Sequence, residues 1–96
     1  MNISEAVVKN TNENRFELVS GSQVSKLDYR MGDQGERIAL VHTEVPDDLS
    51  GQGIGSGLVK YALEYARENE LTVLPYCPFV AAYIERHPEY ADLVAE

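Results

Sequence analysis

One stretch limits the possible folds more than any other: Ser50-Gly51-Gln52-Gly53-Ile54-Gly55-Ser56-Gly57-Leu58. Glycine at this density suits neither a strand nor a helix interior, because it loses more backbone freedom on ordering than any other residue. It suits a turn, and the hydrophobic period changes across it. Before it, Ile38, Leu40, His42 and Glu44 alternate with Ala39, Val41, Thr43 and Val45. Both faces of this strand, over 36–45, start apolar, which marks a central strand covered on both sides. After it, Ile54, Leu58, Ala62 and Tyr65 form one helical stripe, widened by Val59, Tyr61, Leu63 and Ala66. Lys60, Glu64, Arg67 and Glu68 stand opposite.

Strand, glycine-rich turn and amphipathic helix together make an anion site. The first N–H groups of a helix lack partners within it, and the helix dipole adds partial positive charge there. Glycines let the backbone approach a phosphate closely. The spacing then narrows the choice. A Walker A loop needs Gly-x4-Gly-Lys-Ser/Thr, whereas here Gly51 leads to Ser56 and no lysine follows. The dinucleotide fingerprint also fails, since Gly51 and Gly53 lead to Ser56, and Gly53 and Gly55 lead to Leu58. On the residues alone, the loop is either a phosphate cradle or a turn that lets a helix pack closely.

The remaining pattern completes a fold. Phe16 and Leu18 share one strand face, Leu27, Tyr29 and Met31 another, and Val7 and Val8 belong to an opening strand. Turn residues separate them at 10–14, 20–22 and 32–35. Asn69 ends the long helix as a C-cap that tolerates left-handed geometry. Leu71 to Leu74 is a short buried strand. Pro78 opens a second helix with Cys77 at its N-cap, and Phe79, Val80, Tyr83 and Ile84 give its core face. Pro88 ends that helix after His87, and a last short helix carries Tyr90, Leu93 and Val94. The order β-β-β-β-α-β-α predicts one α+β domain over 1–96, with helices packed on a mostly antiparallel twisted sheet.

Composition excludes several functions. Eight basic against 16 acidic residues give a net charge of −8, which repels phosphate backbones and disfavours nucleic-acid binding. Cys77 is the only cysteine, so an internal disulfide or multi-cysteine metal site is impossible, and no metal is expected. The apolar stretches fall far short of the ~20 residues that span a bilayer. Met1 to Glu5 read as no targeting signal. The expectation is a cytoplasmic protein, free of membrane, monomeric or weakly dimeric.

The run Gly51-Gln52-Gly53-Ile54-Gly55 before an amphipathic helix resembles the pyrophosphate loop of GCN5-related N-acetyltransferases, Gln/Arg-x-x-Gly-x-Gly/Ala. Gly53 and Gly55 take the small positions, and Ser50 departs from the usual Gln or Arg. From His42-Thr43-Glu44-Val45-Pro46 through Pro75-Tyr76-Cys77-Pro78-Phe79 to Tyr90, the chain is similar to the small, single-domain branch of that superfamily. The resemblance implies a truncated form of its fold, with acetyl-CoA in a V-shaped opening between the strands ending at Val45 and Leu74. Gly51, Gln52, Gly53, Ile54, Gly55 and Ser56 would hold the pyrophosphate, and main-chain groups around Val45 would align the pantetheine arm. It implies acetyl transfer to an amine, on a small molecule or a protein.

Such a transfer needs a neutral amine, although a lysine amine has a pKa near ~10.4. It also needs donors for the thioester oxygen and a proton for the departing thiolate. The resemblance puts Glu44 beside the thioester as base, and His42, two residues back, as relay. The family's frequent tyrosine acid is missing: matching Tyr83-Ile84-Glu85-Arg86 to the usual Phe-Tyr-Glu-Lys puts Ile84 in its place. Cys77, at a helix N-terminus where thiol pKa falls, replaces it as acid or as nucleophile. Tyr76 and Tyr83 stand in reserve. Glu44 as a surface carboxylate and Cys77 as an inert core thiol remain open. So do two other readings of the chain: an acyl-CoA-binding module with little catalysis, and an interaction scaffold.

Overall fold

Turn residues cut the first half into antiparallel strands in the computed structural model, which describes residues 6–94. They are β1 (Val8–Asn10), β2 (Arg15–Ser20), β3 (Gln23–Gly32) and β4 (Arg37–Glu44). The first five residues, on which the targeting expectation rests, lie outside the described residues. Asn14 at φ 55° and Gly21 at φ 63° take the left-handed geometry that these tight turns require. α1 (Ile54–Glu68), β5 (Thr72–Pro75) and α2 (Pro78–Arg86) follow, and a 3-10 turn over Pro88–Leu93 takes the place of the last short helix. The sheet order is β1-β2-β3-β4-β5, and β5 joins β4 in parallel through the α1 crossover. The architecture is α+β with a mostly antiparallel sheet, as the periodicities predict.

The core lies between the sheet and its helices. Phe16, Leu27, Ile38, Leu40, Leu58, Leu63, Val73 and Val80 are completely buried in one cluster. α1, α2 and the terminal turn touch one another and share that cluster, so they cover the same face. The opposite face keeps Val8, Val19 and Val24 exposed. This corrects one expectation: β4 is central, but helices cover only one of its faces.

β4 holds a second correction. Its partners on β3 run Thr43–Leu27 and His42–Asp28, then jump to Leu40–Tyr29, which leaves Val41 unpaired in a β-bulge. Directly opposed residues share a face, and Leu27 and Tyr29 share one by their spacing. Thr43 therefore sits on the helix-covered face with Leu40. His42 and Glu44, opposite Asp28 and Lys26, turn to the uncovered face. The expected grouping of Ile38 and Leu40 with His42 and Glu44 fails because one extra residue reverses the phase.

Smaller differences follow local geometry. Asn69 is the C-cap of α1, but Glu70 is the left-handed residue at φ 57°. Leu71 N–H donates to the Ala66 carbonyl at 2.8 Å and Glu70 N–H to Arg67 at 3.3 Å, the paired bonds of a Schellman ending. Met31 reaches the end of the sheet and is exposed, and Phe79 faces outward from α2 rather than into the core.

Candidate active site

The site begins where pairing stops. β5 follows β4 through Ile38–Val73 and Ala39–Leu74 and ends at Leu40–Pro75. The Cys77 amide then donates to the Leu40 carbonyl at 2.9 Å, and β4 runs on through the bulge without β5 beside it. A gap opens between the diverging strands, in the place predicted for it. Cys77 is the N-cap of α2 with Pro78 at the first helical position. Cys77 is buried, 5% exposed, and its Sγ lies 3.4 Å from Thr43 Oγ1 across the gap. Burial works against ionising that thiol, but the Thr43 hydroxyl and backbone donors at Val80 and Phe79 outweigh it, so its pKa falls below the ordinary value.

Beside this pair lies a cleft of about 420 Å³. The loop supplies its floor. Gly51 and Gly53 both take positive φ, 82° and 81°, and Gly53 is the N-cap of α1, with no side chain hydrogen-bonded to the helix end. The first helical bond runs from Gly57 N–H to the Gly53 carbonyl at 2.9 Å, so the amides of Ile54, Gly55 and Ser56 precede it. The first turn carries no acidic residue. Val45, Leu49 and Phe79 add apolar walls. Among the described residues, no group of histidine, cysteine and acidic side chains is placed to hold a metal.

The structure brings most of the predicted binding residues together. Val45, Gly51, Gly53, Ile54, Gly55 and Ser56 all line the cleft, while Gln52 is exposed and does not. Thr43, Leu49, Ser50 and Phe79 line it as well, and the sequence reading missed them. Reversed phase at the bulge hid Thr43. Phe79 escapes notice because its spacing from Val80 and Tyr83 fits the core face of a helix. His42 and Glu44 stand apart from Cys77, on the uncovered face, with side chains 61% and 62% exposed. Nε2 of His42 lies 3.9 Å from Oε1 of Glu44, and Lys26 Nζ approaches the same oxygen at 3.9 Å.

The model of the GCN5-related N-acetyl-transferase family matches residues 15–93, nearly the whole described chain. The chain belongs to the GCN5-related N-acetyltransferase family. Its fold is also that of a GCN5-like protein from Staphylococcus aureus solved by NMR, with a TM-score of 0.72 and 32% identity over 93% of this chain and 86% of that one. Among curated relatives, Protein NATD1 of Gallus gallus and of Mus musculus are each 40% identical over 55 residues, 56% of this chain. The human protein matches to the same degree. The matched segment spans about half the length of these relatives, 50% in the first two. No described helix is long and apolar enough to cross a membrane.

Proposed function

We propose that the chain binds acetyl-CoA in this cleft and transfers the acetyl group to an amine arriving from the uncovered face of the sheet. The observation that carries the reading is the gap past Leu40–Pro75, flanked by the open N-terminus of α1 and by the Thr43–Cys77 pair. Amides from Gly53 to Ser56 suit a pyrophosphate, because free N–H groups and the helix dipole both favour an anion. Main-chain groups of Val45 orient the pantetheine arm, and Leu49 and Phe79 shield it from water. Acetyl-CoA supplies an acetyl group already activated as a thioester. Glu44 takes the amine proton, with His42 passing it to solvent. Cys77 holds a proton near the gap for the departing sulfur. The amine attacks directly, and the chain works in the cytoplasm.

Calorimetric titration with acetyl-CoA tests the reading, alongside mass-spectrometric detection of acetylated amines. The Gly53→Val variant is the control, since a β-branched residue is strained at φ 81° and would crowd the phosphate. Its affinity is expected to fall at least about tenfold, about 1.4 kcal/mol. Equal isotherms for the folded variant and wild type would remove the pyrophosphate assignment. Tight binding with no acetylated product would leave an acyl-CoA-binding module.

A further inference from the structure

The uncovered face holds a second hollow, next to the same bulge. A cavity of about 350 Å³ is lined by Glu13, Arg15, Lys26, Asp28, Arg30 and Val41, with others. Its lining carries three cations and two carboxylates, in a chain whose net charge is −8. Two of the cations are engaged. Arg15 pairs with Glu17, and Lys26 Nζ lies 3.5 Å from Asp28 and 3.9 Å from Glu44. Arg30 has no ion pair or hydrogen bond among the described residues, and it stands exposed opposite the small side chain of Ala39. From Arg30 the charged row runs along β3 through Asp28 to Lys26, then crosses to His42 and Glu44 on β4. A free guanidinium therefore sits at one end of the row and the proposed base at the other, with Val41 between them at the edge of the gap.

We infer that this cavity seats the acetyl acceptor, and that the acceptor is an amine that also carries a carboxylate. The inference rests on the acetyl-transfer reading. Arg30 takes the carboxylate, for which a planar guanidinium is suited by its paired N–H donors. The ligand's amine then points along the row to His42 and Glu44. Net charge alone favours a polycationic acceptor, but at short range a guanidinium with no carboxylate paired to it favours an anion, and among the described residues Arg30 has none. In the transfer, the neutral amine nitrogen forms the amide bond, the thioester C–S bond breaks, one amine proton goes to Glu44, and one proton goes onto the released sulfur.

Matched acceptor pairs test this: 4-aminobutyrate against butylamine, and 6-aminohexanoate against hexylamine. Wild type is expected to favour the carboxylated member by at least about tenfold in kcat/KM, the size of a lost charge-assisted hydrogen bond. Arg30→Gln should erase that preference through KM while its acetyl-CoA titration stays at the wild-type value. Equal use of both members, or a preference that survives Arg30→Gln, overturns the inference. If no amine is acetylated, amide chemical shifts recorded with CoA and 4-aminobutyrate decide. Shifts at Asp28, Arg30 and Val41 that vanish in Arg30→Gln keep the ligand site and remove only the acetyl transfer. Unmoved amides remove the site.

Discussion

A Cβ built on Gly55 would stand 3.1 Å from Cζ and 3.2 Å from Cε2 of Phe79, and 3.8 Å from Cγ2 of Val45. The crowded atoms are the far end of a ring that is 42% exposed, so the ring can swing away. Alanine inside a helix is worth up to about 1 kcal/mol over glycine. Gly55→Ala should therefore raise the melting temperature by several degrees, since about 1 kcal/mol moves a domain of this size by roughly 4–8 °C. It should also weaken acetyl-CoA binding severalfold, because the displaced ring narrows the cleft. Calorimetric melting and titration of one sample check both, and undiminished affinity would show that Phe79 is no wall of the site. Across the gap, the Thr43 hydroxyl helps to hold the Cys77 thiol below its ordinary pKa. Thr43→Val removes that contact, so the thiolate fraction at neutral pH should fall. A hydrogen bond worth about 1 kcal/mol predicts roughly fivefold slower alkylation by iodoacetamide at pH 7. An unchanged rate would assign the lowered pKa to the backbone donors of Thr43, Phe79 and Val80.

At the level of elements, the terminal 3-10 turn is fastened to α1 by polar contacts. Tyr90 Oη donates to Glu64 Oε2 at 2.5 Å, and Arg67 reaches both oxygens of Asp92 at 3.1 and 3.0 Å and the Glu89 carbonyl at 2.8 Å. Burial, followed by the Glu64 carboxylate, holds the Tyr90 hydroxyl proton on well above the ordinary tyrosine range. A raised folded pKa means that the native state keeps this proton where the unfolded chain loses it. The stabilisation is thus complete below about pH 10, the unfolded value, and is lost as pH rises beyond it. Tyr90→Phe should cost about 1 kcal/mol at pH 7, discounted for the exposure of Glu64. Melting curves of wild type and variant should converge above about pH 10, whereas a constant gap would assign the loss to packing. Elements of this kind were only partly legible in the sequence. The Cys77–Pro78 helix start and the glycine turn follow local rules, which sequence carries directly. The bulge at Val41 does not, because it arises from how β3 and β4 settle their register, and no residue type there announces it. That single residue moved Thr43 to the cleft and His42 and Glu44 away from it.

On the scale of the whole molecule, the order of elements was legible because period and turn chemistry are local. The one-sided sheet was not. Ala39 and Val41 looked like the second core face of a buried strand, but apolar residues of this size also suit a face that no helix covers. The uncovered face raises the question of whether a second copy of the chain covers it. Its exposed valines gather at one end, Val19 opposite Val24 and Val8 opposite Glu17, and the charged row from Arg15 and Asp28 to Glu44 occupies the remainder. A stable interface buries about 800 Å² on each partner with a well-packed apolar centre. Three partly exposed valines offer a small fraction of that. A second copy would also bring another −8 of charge against the first. Sedimentation equilibrium at about 0.15 M salt, where the screening length is about 8 Å, should therefore return the monomer mass of 10.7 kDa. Raising the salt screens the repulsion without enlarging the apolar area, so the mass should stay there at about 1 M. A mass near twice the monomer's that falls on Val19→Lys would instead place a partner copy on the valine end, beside the cavity proposed for the acceptor.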